Sequence, residues 1–216
     1  MSDQHFTEQE RDAVYRVIAE RRDMRHFVGG EVPPAILANL LEAAHQAPSV
    51  GLMQPWRFIR ITDRALRGKI QALVEEERLR TAQALGERSD EFMRLKVEGI
   101  ADCAEVLVVA LMDGRETHVF GRRTLPEMDL ASMSCAIQNL WLAARAENLG
   151  MGWVSLFEPQ AMAQLLGMPT GSKPLGVLCL GPVAEFYSKP MLVQEGWAKT
   201  RPLSELLFNN QWGKHQ

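Results

Sequence analysis

Cysteine is scarce: Cys103, Cys135 and Cys179 are the three in 216 residues. They lie far apart, each in an apolar run where a free thiol behaves as a small hydrophobe. That spacing excludes a disulfide framework and a CxxC site. Aromatic residues make up only 7%, which argues against a sticky or repeat-built binder. No apolar run reaches membrane-spanning length. Residues 1–10 are polar and acidic with no apolar core, so no leader is expected and the cytoplasm is the default location. An excess of one charge is missing too. A formal net charge of -3 gives no reason to expect nucleic acid or an anionic membrane as partner, since both select a strongly basic face. Any bound anion must therefore be small and locally held. His5, His26, His45, His118 and His215 show no metal-ligand spacing with one another or with cysteine, so no metal is assigned. Gly150-Met151-Gly152 lacks the strand–turn–helix context of a dinucleotide fingerprint and no Walker-type loop occurs, which excludes a Rossmann reading.

What is present reads as one domain over 1–216. The length suffices for one well-buried core and is short for two, and 46% hydrophobic with 24% charged residues is ordinary for a globular protein. Thr7 and Glu10 have capping-box spacing, and Val14, Ile18 and Ala19 follow at helical spacing, which predicts a helix over 7–21. Leu37, Leu40, Leu41 and Ala44 share one face of a helix over 36–45, ended by Pro48. A short β pattern covers 56–61. Asp63 is placed to cap a long polar helix to about 86. The run Val106, Leu107, Val108, Val109 suits a strand over 105–111 buried on both faces. Residues 113–126 have no periodicity and exceed the usual connection length, so they form a lid or a loose loop. The strongest helix, over 128–147, is apolar almost all round, with Trp141 in its core and Gly150 placed to terminate it. Strands over 153–157 and 175–180, with a helix over 159–167 between them, complete the pattern. The extension over 183–216 has too little local core to fold alone and is expected to wrap another surface.

Two segments hold groups suited to chemistry. Arg21-Arg22-Asp23-Met24-Arg25 follows a helix, and its three guanidinium groups can clamp a phosphate; equally, they can be a solvated helix end where cations favour the dipole. Asp23, lying between cations, is expected to stay ionised and is placed to act as a base. The connection 47–56 combines Pro48, Ser49, Gly51 and Gln54, offering donors to a phosphate or a heterocycle edge; a plain turn before a core Trp56 fits as well. His45 is expected to satisfy a hydrogen bond at a helix end. Gln138 and Asn139 are amides in an apolar helix and need partners if buried.

Taken together, RRDMR, the block AAHQAPS with QPW four residues later, LKVEGI, MDLASMSCAIQNLWLAARAENLGMGWVS and VLCLG, in this order, resemble the flavin-dependent nitroreductase family. The resemblance runs from about Arg21 to Trp212. It implies an α+β fold, a central mostly antiparallel sheet flanked by helices, in an intertwined homodimer with FMN at the interface. It further implies flavin contacts at Arg21, Arg22, Asp23, Met24, Arg25, Ser49, Met53, Gln54 and Ser155, with Arg201 completing the phosphate site. Within the family, Asp23 and Ser155 together match the subgroup that destroys its flavin. There reduced FMN is substrate and O2 co-substrate, and the products are 5,6-dimethylbenzimidazole, the lower ligand of cobalamin, and D-erythrose 4-phosphate. A separate flavin reductase is then expected to supply the reduced FMN. The resemblance implies catalytic roles for Asp23, as proton acceptor, and Ser155, as an orienting hydroxyl. The competing expectations are a conventional NAD(P)H-dependent nitroreductase, which needs neither residue, and a flavin carrier that binds without consuming.

Overall fold

Four strands carry the fold: β1 (Trp56–Arg60), β2 (Glu105–Leu111), β3 (Gly150–Val154) and β4 (Lys173–Gly181), ordered β1-β2-β4-β3 with every neighbouring pair antiparallel. They come from a computed structural model that describes residues 5–214; His215 and the first four residues lie outside the described residues. Seven helices flank the sheet among those residues: α1 (Glu8–Glu20), α2 (Pro34–His45), α3 (Arg64–Ala84), α4 (Ser89–Arg94), α5 (Met128–Ala146), α6 (Pro159–Leu165) and α7 (Met191–Gln194). The α+β architecture with an antiparallel sheet is thus the one the family resemblance implies. No described helix is long and apolar enough to cross a membrane.

Alternation along β2 divides the core in two. Leu107, Val109 and Leu111 pack with Leu37, Leu40 and Ala44 of α2 and Met133, Ile137 and Leu140 of α5. Val106 and Val108 face Ile70 and Val74 of α3 and Met162 of α6. Helices on both faces explain why β2 is apolar from Val106 to Leu111 and buried at every position. Each such side chain contributes about 1.5–3 kcal/mol on burial, so this strand anchors the domain.

The capping box forms as read: Thr7 Oγ1 accepts from Glu10 N–H while the Glu10 carboxylate accepts from Thr7 N–H. Asp63 caps α3 by accepting from the amides of Ala65 and Leu66. Three expectations need correction. Gly150 does not terminate α5; Asn148, at φ 57°, takes the left-handed position, and Gly150 already begins β3. The strand expected over 153–157 lies earlier, because Gly150 and Gly152 weaken its β pattern in sequence yet are needed for close approach. Nor is α5 buried all round: Met128, Leu130, Cys135 and Gln138 face solvent, so Cys135 is no core thiol. Cys103 and Cys179, distant in sequence, share the second core, where the Cys103 thiol donates to Ile100 O and Glu105 O.

The helical spacing in α1 is right, but this chain covers none of it. Val14, Tyr15 and Ile18 all stand exposed, and α1 buries no residue. The extension divides similarly. Val183, Phe186 and Tyr187 pack on the second core, and Trp197 stacks under the Arg88 guanidinium beside Phe92. Beyond Trp197 the chain leaves Leu203, Leu206, Leu207 and Trp212 exposed.

Candidate active site

Where α1 ends, the chain turns extended and lies along the outer edge of β3. Asp23 bridges Met151 in parallel, and Met24 N–H donates to Met151 O at 2.9 Å. At the next rung a side chain replaces backbone: Trp153 N–H donates to Asp23 Oδ1 at 3.0 Å. Asp23 Oδ2 accepts from Arg25 Nη2 at 2.7 Å, and that same nitrogen also reaches Trp153 O at 2.9 Å. Both carboxylate oxygens are therefore fixed by groups that are themselves fixed. This close approach needs Gly152, where a Cβ would stand 2.2 Å from Met24 O and 2.6 Å from Arg25 Nη1.

The pair is asymmetric in exposure: the Arg25 side chain is 9% accessible, that of Asp23 44%. Loss of hydration in the cleft raises the Asp23 pKa above the usual aspartate value; Arg25, the Trp153 amide and Arg21 pull it down but do not cancel the burial. The cations do favour ionisation as the sequence implies, yet the net direction is upward. A carboxylate open on one side is desolvated further by whatever covers that side. Arg25 Nη1 is buried without a partner among the described residues.

The three arginines have different surroundings. Arg22 turns back on α1, giving Nη1 to Ala19 O and Arg21 O and Nη2 to Ser188 O. Arg25 is held by Asp23, and Tyr187 Oη accepts from its backbone N–H at 3.1 Å. Arg21 and Arg22 pair with no carboxylate among the described residues, and the Arg21 guanidinium lies 4.5 Å from the centre of the Trp141 ring. Trp141 in turn donates its indole N–H to Arg22 O and Met151 O. It is core, as the sequence indicates, and it also pins the 21–23 segment to β3.

Ser155 is the first residue after β3. With Asp23 and Arg25 it lines a recess of about 230 Å3 whose other wall is apolar, from Phe92, Leu95, Leu192 and Trp197. A second recess of about 160 Å3 shares Asp23, Met191 and Leu192 with it and adds Arg21 and Arg22. The structure thus brings Arg21, Arg22, Asp23, Arg25 and Ser155 together. Met24 adjoins them through its backbone, its side chain being fully buried in the second core.

Ser49, Met53 and Gln54 lie elsewhere. Ser49 Oγ accepts from Gln54 N–H at 3.0 Å, Gln54 is left-handed at φ 47°, and Met53 is buried. Val50 N–H donates to Ser132 Oγ near the start of α5, whereas the 21–23 segment is tied to Trp141, nine residues on. At 1.5 Å rise per residue these attachment points are about 14 Å apart along the helix. Arg201 is exposed on the tail and lines neither recess.

The 113–126 segment is fastened at its base, where Arg115 and Arg122 both reach Asp129 Oδ2, at 2.8 and 3.0 Å. Arg122 is consequently tied to the base of this segment. The tip meets the Ser49 loop, Phe120 against Gly51 and Gly121 against Val50. His45 Nδ1 accepts from Trp56 Nε1 at 3.2 Å, and Asn139 Nδ2 donates to Ala43 O at 3.1 Å, so both have the partners expected of them; Gln138 is exposed. Among the described residues no three His, Cys, Asp or Glu groups converge as for a metal. Sequence reading missed Tyr187, Trp197, Phe92 and Leu95; no spacing links them to Asp23, though an aromatic in a coreless extension was a signal that it docks somewhere.

Residues 18–182 match the family described as the Nitroreductase family. The 5,6-dimethylbenzimidazole synthase of Rhodospirillum rubrum is 39% identical over 196 residues, 89% of this chain and 92% of the relative. Among solved structures, a BluB-like flavoprotein from Clostridium difficile superposes with a TM-score of 0.70 at 17% identity, covering 92% of this chain and 99% of the other. Oxidized iodotyrosine deiodinase bound to FMN and 3-iodo-L-tyrosine gives 0.66 at 22% identity, covering 82% and 92%.

Proposed function

The chain belongs to the nitroreductase family, and within it we propose that it acts as a 5,6-dimethylbenzimidazole synthase, breaking down reduced FMN with O2 to 5,6-dimethylbenzimidazole and D-erythrose 4-phosphate. The observation that carries this reading is Asp23, held at both oxygens by Trp153 N–H and Arg25 and sharing one recess with Ser155. A nitroreductase passing hydride to nitroaromatics has no use for a base fixed there, and a carrier has no use for one at all.

The residues fit a flavin phosphate ester. Arg21 is a guanidinium with no carboxylate partner, Arg25 Nη1 is a buried orphan donor, and the recess pairs a polar wall with an apolar one. When bound, reduced FMN supplies the ring that reacts with O2 and the ribityl chain that is cut. Arg21 and Arg22 would hold the phosphate end, and Arg25 would act by positioning Asp23. With its pKa raised above that of free aspartate, the Asp23 carboxylate is the stronger proton acceptor. Ser155 offers a hydroxyl on the same side to orient a reacting atom. Ser49, Met53 and Gln54 reach the flavin in this reading from a second subunit, because their loop is fastened to α5 away from the Asp23 segment, and Arg201, which lines neither recess, joins them from the tail.

An intertwined homodimer accounts for that division. It would bury the uncovered face of α1, the outer face of α5 and the apolar side chains of 198–214, which would wrap the partner. It would also bring the Ser49 loop and the 113–126 lid of one subunit over the Asp23 recess of the other, enlarging cavities that are small for FMN in one chain. A separate reductase supplies the reduced flavin, and the cytoplasm is the compartment where both would meet.

The test is to mix the purified protein with chemically reduced FMN in air and follow flavin absorbance together with mass detection of 5,6-dimethylbenzimidazole. Stoichiometric loss of flavin with appearance of the benzimidazole is expected. Recovery of intact FMN would refute the proposal, leaving a nitroreductase if NAD(P)H is oxidised and a carrier if it is not.

A further inference from the structure

A cavity of about 720 Å3 lies apart from the Asp23 recess and shares no residue with it. It opens between the start of α3, the end of β1 and the 101–105 approach to β2, with Gly29 and Gly30 on its rim. Its size falls within the roughly 300–1,000 Å3 of small-molecule pockets. From α3 come Arg64, Arg67, Gly68 and Gln71, spaced i, i+3, i+4 and i+7, so one continuous polar stripe of the helix faces the cavity.

The charges in it do not cancel. Arg60 is neutralised by Glu105 through two bonds of 2.8 and 2.6 Å. Asp102, the other acid, is paired with Lys96 at 2.7 Å. Arg67 gives its two Nη groups to the carbonyl oxygens of Cys103 and Ala104, at 2.8 and 3.1 Å. Those neutral acceptors aim the guanidinium without matching its charge. Arg64, at the first position of α3, stands exposed. Two unmatched cations therefore face one recess. The helix N-terminus is not the attractant, since Asp63 already caps its amides.

The walls give a second, independent indication. Gly68 sits inside a 21-residue helix, where glycine is less stable than alanine. A Cβ built there meets nothing within 4 Å, so no packing within the chain requires the glycine. Gly68 leaves the helix backbone bare on the cavity wall beside Arg64 and Arg67, where a ligand can approach it closely.

We propose that this recess is a second anion site, taking a small phosphate-bearing molecule whose phosphate is gripped by Arg64 and Arg67 and whose body lies against Gly68. Guanidinium forks match the oxygens of a phosphate monoester, and a cavity this size has room for a sugar-sized body beside it.

The test is calorimetric titration of the full-length protein with ribose 5-phosphate and, separately, inorganic phosphate. Wild type is expected to bind ribose 5-phosphate saturably, one per chain and more tightly than inorganic phosphate. Arg64→Gln, which removes no contact of the fold, should weaken binding about tenfold or more, the worth of a charge-assisted hydrogen bond. Gly68→Leu should abolish it by filling the wall, with no fall in Tm because leucine favours the helix. Arg21→Ala should bind as wild type, which separates this site from the flavin phosphate site. Absence of saturable binding by wild type, unchanged affinity in both Arg64→Gln and Gly68→Leu, or loss in Arg21→Ala alone would each overturn the proposal.

Discussion

Arg25 is the residue on which the candidate site most depends, and Arg25→Gln perturbs it in two measurable ways. The side chain is nearly buried and makes an ion-paired bond to Asp23 at 2.7 Å and one to the uncharged acceptor Trp153 O at 2.9 Å. The first is worth about 1.5–3 kcal/mol and the second about 1 kcal/mol. Asp23 is accessible enough for water to recover part of the first, so a net loss of about 2–3 kcal/mol is expected. For a domain of this size that lowers Tm by roughly 4–12 °C. The second effect is on ionisation. Burial raises the Asp23 pKa and Arg25 is the largest opposing influence, so removing it moves the pKa further up. Asp23 must be ionised to accept a proton, and activity falls as pH drops through its pKa. The acidic limb of the benzimidazole-forming rate should therefore shift to higher pH, and Arg25→Lys should restore part of the shift by returning the charge without the fork. Rates followed by mass detection across pH give the answer. A limb that stays in place, or moves to lower pH, would refute the reasoning even if Tm falls.

Three further outcomes are expected. Gly152→Ala should lower Tm by several degrees and accelerate hydrogen exchange of the Trp153 amide, because its Cβ would stand 2.2 Å from Met24 O; overpacking of this kind costs about 1–3 kcal/mol. Tyr187→Phe removes the acceptor shared by the amides of Arg25 and His26, so both should exchange faster while far-UV circular dichroism stays unchanged; protection equal to wild type would count against docking of the extension there. Asp129→Asn leaves Arg115 and Arg122 without a carboxylate, and cleavage within 113–126 should quicken in limited proteolysis, alongside destabilisation of about 3 kcal/mol.

Local signals that act within a few positions were legible. Thr7 with Glu10 and Asp63 specified helix starts, the 106–109 run specified a doubly covered strand, and the order of RRDMR, HQAPS and GMGWVS indicated the family. Signals that depend on what one element meets were not. Gly150 and Gly152 read as punctuation or as a weak strand, and only packing shows that their bare backbone lets the Asp23 segment lie against β3. Three arginines in five residues look alike in sequence. Tertiary structure separates them, turning Arg22 onto its own helix end, burying Arg25 beside Asp23 and leaving Arg21 over Trp141 without an acid.

The same division holds for the chain as a whole. By itself the sequence determined the elements and the inventory of groups, because hydrophobic period, capping and turn chemistry act over one or two turns of chain. Which groups share a cleft was decided only by the tertiary structure. β3 and the C-terminal extension, more than a hundred residues from Asp23, supply Trp153, Ser155 and Tyr187 to its surroundings, and the burial that raises its pKa exists only once those distant walls are in place.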